Sequence, residues 1–227
     1  MSSEFALNDY EQEVRVGDKD VQLNGILGLP PNPLGVIVFA HGSGSGRFSP
    51  RNNYVARVLQ QASLGTLLID LLSETEASDR GNVFDIALLA ERCRTAKTWL
   101  ATQPKCRTLP VGYFGASTGA GAALVAAAED PENIFAVVSR GGRPDLAGES
   151  LDSVKAPTLL LVGGHDGVVI TLNENAFNKL HCTKELKIIP RATHLFEEPG
   201  TLEQVAELAS AWFSKQIGTG TKTGANN

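Results

Sequence analysis

Short apolar runs recur along the chain from residue 35 and form its most regular pattern. Each run is five to eight residues long, and the runs occupy residues 35–40, 65–70, 110–115, 134–139, 157–164 and 186–190. Runs of this length without clear alternation are typical of strands that are buried on both faces of a parallel sheet. We therefore expect six parallel strands in the interior of the protein.

Longer segments with helical periodicity separate these runs. They occupy residues 52–62, 83–102, 118–129, 172–180 and 202–216. In the longest segment, Phe84, Leu88 and Leu100 recur at roughly helical spacing, whereas Glu91 and Arg92 can face water. Because strands and helices alternate, the sequence predicts a doubly wound α/β sheet with right-handed crossovers.

An alternating segment precedes the first apolar run. Val14 and Val16, then Val21 and Leu23, lie on either side of a Gly-Asp-Lys-Asp sequence. Alternation around a short polar turn is typical of two antiparallel strands. We therefore expect an N-terminal antiparallel hairpin at the edge of the mostly parallel sheet.

The length of the chain predicts one domain. Its 227 residues suffice for one α/β domain and are too few to require two. We place this domain at residues 1–217 and expect a flexible tail at residues 218–227, where the sequence is small and polar. The connection at residues 140–155 is too short for a large cap domain.

Composition and charge exclude several classes of partner. The formal net charge is −5 and no basic block occurs, so we expect neither a nucleic-acid partner nor an anionic membrane surface. The three cysteines lack metal-ligand spacing, which favours reduced thiols in a cytoplasmic protein. No basic and apolar leader or long apolar stretch is present. We expect a cytoplasmic protein with no metal or organic cofactor.

Reactive residue types follow the apolar runs. In doubly wound sheets ligands bind at the carboxyl ends of the strands, and three of these ends supply Ser117, Asp166 and His194 in that order. Residues 115–119 read Gly-Ala-Ser-Thr-Gly between a predicted strand and a predicted helix, which matches the G-x-S-x-G nucleophile elbow. The alternative for Ser117 is a helix N-cap in a glycine-rich turn.

A phosphate-binding loop is a second interpretation of the same glycines. Gly115, Gly119 and Gly121 open the predicted helix. A P-loop also needs a Gly-Lys-Ser/Thr ending, and a dinucleotide site needs G-x-G-x-x-G with an acid about 20 residues on. Neither spacing is present, so the sequence argues against a nucleotide site.

A serine nucleophile needs a base and an acid to orient that base. Imidazole titrates in the useful range, and His194 follows the last apolar run next to an aromatic residue, Phe196. Asp166 is the candidate that holds the imidazole, with Asp145 and Asp152 as weaker rivals. The alternative for Asp166 is an Asx turn or helix N-cap.

Acyl transfer also needs two backbone donors for the oxyanion. The amide of Thr118, which follows the predicted nucleophile, is one donor. The other should come from the His-Gly-Ser-Gly-Ser-Gly loop after the first parallel strand. We predict the Ser43 amide, with Gly44 as the alternative and as a substrate contact.

Four sequence stretches together resemble the α/β-hydrolase superfamily, and within it the dienelactone hydrolase-like proteins. They read FAHGSGSG, GYFGASTGAG, LLVGGHDGVV and IPRATHLFEEPG, and the resemblance covers residues 14–216. It implies Ser117 as nucleophile, His194 as base and Asp166 as its partner, with the Ser43 and Thr118 amides as the oxyanion hole. Dienelactone hydrolases proper carry a cysteine nucleophile, so the serine is more like the general carboxylesterases.

We therefore expect a serine hydrolase that cleaves small carboxylic esters or lactones through an acyl-enzyme. An acyltransferase, a thioesterase or a peptidase could use the same triad, and a non-catalytic binding protein could share the fold. Arg140 or Arg143 is predicted to bind an anionic part of the substrate, the alternative being a solvated charge or a pair with Asp145. The sequence leaves the oligomeric state open.

Overall fold

One eight-stranded sheet organises the computed structural model, which describes residues 7–17 and 21–220. The strands lie in the spatial order β1-β2-β4-β3-β5-β6-β7-β8. Their bounds are β1 Glu11–Gly17, β2 Gln22–Gly28, β3 Val36–Ala40, β4 Gly65–Ile69, β5 Val111–Ala116, β6 Ile134–Arg140, β7 Thr158–Gly163 and β8 Lys184–Ile189.

Seven α-helices and one 3-10 segment, Pro144–Ser153, connect these strands within the described residues. Their bounds are α1 Pro50–Gln61, α2 Glu74–Ala77, α3 Arg80–Phe84, α4 Ile86–Thr102, α5 Thr118–Glu129, α6 Gly167–Lys179 and α7 Thr201–Gly220. None of the helices in this part of the chain is long and apolar enough to cross a membrane.

The strand directions confirm the predicted sheet. β1 pairs with β2 and β2 with β4 in antiparallel fashion, while every pair from β4 to β8 is parallel. The predicted hairpin is therefore present, although residues 18–20 of its turn lie outside the described residues. The register pairs Ala40 with Gly115 and Ala116 with Arg140, so that the carboxyl ends of β3, β5 and β6 lie side by side.

Two apolar layers cover the sheet, which is why its central strands carry apolar residues on both faces. On one face, Phe39 and Phe114 pack under α1 and α7. On the other face, Val38 and Tyr113 pack under α4 and α5. Residues of both layers are almost completely buried. The described residues thus form an α/β-hydrolase fold, and no large cap domain is present among them.

The prediction of two-sided burial is wrong for β8. This strand pairs only with β7 at the edge of the sheet, and none of its residues except Ile189 is buried. An edge strand has no neighbour along one of its hydrogen-bonding edges and is more exposed to solvent. The polar residues Lys184, Glu185 and Lys187 suit this exposed position.

Two helix boundaries also differ from the predictions. Asp85 interrupts the predicted helix at 83–102, because its backbone (φ −77°, ψ 91°) is not helical and its carboxylate caps the Leu88 N–H of α4. At the other end of the chain, α7 continues to Gly220, three residues into the predicted tail. Residues 221–227 lie outside the described residues, so the tail and the domain boundary remain predictions.

Candidate active site

Ser117 occupies a strained turn between β5 and α5. Its backbone angles are φ 51° and ψ −123°, a region that residues with a side chain rarely adopt. Three backbone hydrogen bonds hold the turn: Ser117 N–H donates to the Arg140 carbonyl (3.3 Å), and the Ser117 carbonyl accepts from the Ala120 N–H (3.1 Å) and the Arg143 N–H (3.0 Å). The Ser117 side chain caps no N–H of α5. The geometry therefore disfavours the helix-cap interpretation and matches a nucleophile elbow.

The glycines of the elbow allow close backbone packing. A Cβ added at Gly115 would lie 2.4 Å from the Ala120 Cα, and one at Gly119 would lie 2.1 Å from the Ala40 carbonyl oxygen. Neither contact is possible for a real side chain. The G-x-S-x-G spacing is thus a packing requirement for the strand-to-helix turn that carries Ser117.

Asp166 and His194 are in direct contact. The Asp166 carboxylate accepts a hydrogen bond from His194 Nδ1 at 2.6 Å. Asp166 begins α6 but makes no capping hydrogen bond, which disfavours the cap interpretation for this residue as well. Because a carboxylate only accepts, Nδ1 carries a proton, and in the neutral imidazole the lone pair is then on Nε2. That nitrogen is therefore available to take a proton.

The buried side chain of Phe196 anchors the loop that carries His194. Phe196 is 2% exposed and closes the turn through its N–H to the Thr193 carbonyl. Gly141, at the end of β6, lies so close that an added Cβ would be 3.0 Å from the His194 carbonyl oxygen. Because Ser117 also contacts the end of β6, the two residues occupy neighbouring positions. No hydrogen bond joins their side chains among the described residues.

The rival acids and the remaining histidines have other contacts. Asp145 accepts two hydrogen bonds from Arg143, and Asp152 lies 3.6 Å from His181 on an exposed surface. The His165 backbone bonds to the Ala192 carbonyl. Of the three candidate acids, the structure therefore brings only Asp166 to His194.

Ser43 and Thr118 line one cavity of about 290 Å³, together with Gly44. Thr118 is the first residue of α5, so its N–H has no acceptor within the helix. The loop that carries Ser43 lies directly against the elbow, since a Cβ added at Gly42 would be 2.9 Å from the Ser117 Cβ. The predicted oxyanion donors and the predicted nucleophile thus belong to one site.

His41 is a residue of this site that the sequence analysis did not single out. Its Nδ1 donates to the Gly42 carbonyl (2.8 Å) and its Nε2 accepts from the Leu71 N–H (3.0 Å). Burial lowers the pKa of His41, against smaller opposing effects of the Gly42 carbonyl and the Asp70 charge. The neutral imidazole therefore ties the Ser43 loop to the end of β4.

Asp70 makes a second tie between the same two segments. It accepts a hydrogen bond from the Arg47 N–H (2.7 Å) and forms an ion pair with the Arg47 guanidinium. In the sequence, these contacts could be inferred only from position, because His41 and Asp70 each follow directly after one of two adjacent parallel strands. We call the four residues His41, Leu71, Arg47 and Asp70 the loop clasp.

The two arginines predicted to bind an anion do not line this cavity. Arg143 is engaged by Asp145. Arg140 is 7% exposed and donates to Asn52 at 3.2 Å, with its guanidinium 5.9 Å from the centre of the Phe196 ring. Burial, together with the charge of Arg51, lowers the pKa of Arg140 to about 10. The Arg140 Nε and Nη1 atoms are buried without a hydrogen-bond partner among the described residues, and the role of both arginines in substrate binding remains a prediction.

The described residues contain no group of three or more His, Cys, Asp or Glu side chains arranged to hold a metal ion. The three cysteines are free, and burial raises the pKa of Cys93 to about 12.

A comparison with protein families agrees with this geometry, since the family model for dienelactone hydrolases matches residues 73–217. The chain belongs to the dienelactone hydrolase family. The crystal structure of a dienelactone hydrolase from Anabaena variabilis is 58% identical, with a TM-score of 0.86 over 91% of this chain and 98% of that one. The residues matched by the family model, 73–217, include both Ser117 and His194.

Three further proteins extend the comparison. An esterase domain from Rhodothermus marinus shares the fold at 17% identity, with a TM-score of 0.74 over 91% of this chain and 99% of that one. Two Mycobacterium tuberculosis proteins with a provisional phosphoribosyl transferase name are 61% identical over 203 residues. That match covers 89% of this chain, which spans only 46% of the length of those relatives.

Proposed function

We propose that this member of the dienelactone hydrolase family hydrolyses carboxylic esters or lactones through an acyl-enzyme on Ser117. The observation that carries the proposal is the 2.6 Å bond between Asp166 and His194 beside a serine held at φ 51°. A strained serine without a capping bond and an oriented imidazole are the two parts that nucleophilic catalysis requires.

In the first half of the reaction, Ser117 Oγ attacks the carbonyl carbon of the ester. His194 Nε2 takes the hydroxyl proton as the Oγ–C bond forms, and Asp166 stabilises the imidazolium through Nδ1. The bond from carbon to the leaving oxygen then breaks, and His194 gives its proton to that oxygen. The products of this half are an alcohol and an acyl-Ser117 ester.

In the second half, water replaces the alcohol. His194 Nε2 removes one proton from the water as its oxygen attacks the acyl carbon, and the Oγ–C bond breaks as His194 returns the proton to Ser117. In both halves the negative oxygen is stabilised by the Thr118 and Ser43 amides, and the N-terminus of α5 adds a favourable field. The carboxylic acid leaves and Ser117 is restored.

The comparisons differ in how much they support about the reaction. Membership of the dienelactone hydrolase family supports hydrolysis of a small-molecule ester or lactone. The esterase neighbour at 17% identity supports the fold alone. We do not extend phosphoribosyl transfer to this chain, because more than half of the length of those relatives lies outside the match.

A fluorophosphonate probe tests the proposal. It should label Ser117, and Ser117→Ala should abolish labelling and lower kcat on p-nitrophenyl esters by about four orders of magnitude or more. Ser214→Ala, the same change at an exposed position of α7 outside this cavity, should keep both. Labelling that survives in Ser117→Ala would refute the nucleophile.

The acid that orients His194 is tested by a second pair of variants. Asp166→Asn should lower kcat about 10⁴-fold, because an amide favours the wrong imidazole tautomer. Asp145→Asn changes the rival acid, whose partner is Arg143, and should leave kcat nearly unchanged. The opposite ranking of the two variants would contradict the assignment.

A further inference from the structure

The cavity beside Ser43 and Thr118 has a predominantly apolar wall. Five side chains, from the end of β4 and from α2, α3 and α4, supply it: Leu71, Leu72, Ala77, Val83 and Leu89. The volume of about 290 Å³ lies at the low end for ligand sites, which span about 300–1,000 Å³. The cavity therefore suits a small apolar group.

The position of the cavity decides which part of an ester it can hold. In the proposed reaction the leaving oxygen receives its proton from His194, so the alcohol must lie near the loop that follows β8. The described residues that line the cavity all lie between His41 and Thr118, and none comes from the turn of Asp166 or from the His194 loop. Because the cavity borders the Ser43 and Thr118 amides and not the His194 loop, we assign it to the acyl chain and not to the alcohol.

The charges in the wall are of one sign. Asp70 and Glu74 line the cavity, and none of its described lining residues is Lys or Arg. The Arg47 guanidinium already pairs with Asp70. A carboxylate that entered this space would lose its water shell without gaining a cation and would meet Glu74. An uncharged acyl chain has neither cost.

We propose that this cavity is an acyl subsite that selects esters of small, uncharged, apolar monocarboxylic acids over esters whose acyl chain ends in a carboxylate. This inference rests on the proposed function, because it needs Ser117 as the nucleophile and His194 as the proton donor. It adds to that function the chemical class of the acyl group.

A series of p-nitrophenyl esters with unbranched neutral acyl chains gives the first test. The value of kcat/KM should rise by about fourfold for each added methylene while the chain fills the cavity, since each buried methylene contributes about 0.8 kcal/mol. It should fall once the chain exceeds the cavity. A profile that is flat or that declines from acetate onward would overturn the inference.

A pair of esters of equal size tests the charge preference. One acyl chain ends in a carboxylate and the other in an isopropyl group, so that the two differ in charge and not in heavy-atom count. We expect kcat/KM to be about tenfold or more lower for the carboxylate ester, because its charge lies against an apolar wall and meets the like charge of Glu74 at the exposed rim of the cavity. Equal rates, or a preference for the carboxylate that Arg143→Ala removes, would overturn the inference.

A matched pair of variants tests whether the cavity wall determines the preferred length of the acyl chain. Ala77→Leu, in the cavity wall, should shift the preferred acyl chain to a shorter length. Ala101→Leu makes the same change on an exposed position of α4 outside this cavity and should leave the profile unaltered. A shift in neither variant, or an equal shift in both, would place the acyl chain elsewhere.

Fluorophosphonate labelling separates the two levels of the argument. If Ser117 is labelled and the acyl profile is indifferent to length, charge and Ala77→Leu, the hydrolase mechanism stands and the acyl subsite is wrong. If Ser117 is not labelled and no ester is cleaved, both are wrong, because there is then no acyl-enzyme for the cavity to select.

Discussion

At the scale of single residues, His41 shows how a histidine can act in a catalytic site without transferring a proton. Both ring nitrogens are occupied by backbone groups, the Gly42 carbonyl and the Leu71 N–H. Protonation would place a hydrogen on Nε2, directly opposite the Leu71 N–H, and remove that bond. We infer that neutral His41 is a positioning residue for the predicted oxyanion donor Ser43.

His41→Leu should therefore lower kcat about 100-fold with a smaller change in KM, because a shift of about 1 Å in a catalytic group can cost this much. His41→Asn keeps a donor and an acceptor and should recover part of the loss. Steady-state kinetics on a neutral ester measure both. An increase in KM alone would contradict a positioning role.

The lowered pKa of His41 should also make the free energy of unfolding depend on pH. Between its lowered pKa in the folded protein and the ordinary value of 6.5, the unfolded chain binds more protons, so the free energy of unfolding decreases as pH falls through this window. Urea unfolding above and below pH 6.5 should show this dependence, and it should be weaker in His41→Asn.

At the scale of elements, α2 and α3 form a thin cover over the cavity. Neither helix buries a residue. A capping box between Ser73 and Glu76 and an ion pair from Glu76 to the almost buried Arg92 (2.7 Å) fix α2 to α4. The hydrogen bond from the Ser73 N–H, followed by smaller effects that include Arg92, lowers the pKa of Glu76. The cover is held by polar contacts, not by a core.

Glu76→Ala should loosen this cover. Amide exchange over residues 73–77 should increase about tenfold or more, because charge-assisted hydrogen bonds contribute about 1.5–3 kcal/mol. Wild-type protein should show the same loosening at acid pH, since the contribution of Glu76 is present above its ordinary pKa of 4.5 and is lost as pH falls through the lowered value. Glu129→Ala removes an exposed ion pair with Arg94 and should change exchange at residues 73–77 little.

At the scale of the whole molecule, the sheet separates the chemistry from the packing. The proposed catalytic residues lie at the carboxyl ends of the strands, whereas α1 and α7 pack on one face and α4 and α5 on the other. Phe213 of α7 is completely buried and makes an edge contact with Phe135 at 5.8 Å. The two functions of the fold can therefore be changed independently.

Phe213→Ala should lower the free energy of unfolding by about 3–5 kcal/mol through the cavity that it leaves. The fraction that stays folded should still be labelled by fluorophosphonate at the wild-type rate. Phe84→Ala truncates a side chain that is 51% exposed and should change stability by no more than about 0.5 kcal/mol. Denaturant unfolding measures both variants, and similar losses would contradict this account of the core.

Much of the fold could be predicted because its signals are local. The central apolar runs needed partners on both faces, the alternation around Val14 and Val16 needed an edge, and G-x-S-x-G needed a tight strand-to-helix turn. β8 was misjudged because a short run does not reveal whether one or both of its sides are paired. The break at Asp85 was missed because helical periodicity continues across it.

The sequence by itself determined the α/β architecture and the set of reactive groups at the strand ends, because residue periodicity and chain order are local properties. Only the tertiary structure decided which of them meet: His194 with Asp166 and not Asp145, Arg143 with Asp145 and not the cavity, and His41 with Leu71 across two strands. Such contacts join residues far apart in the chain, and their partners follow from strand order and register, which no single segment encodes.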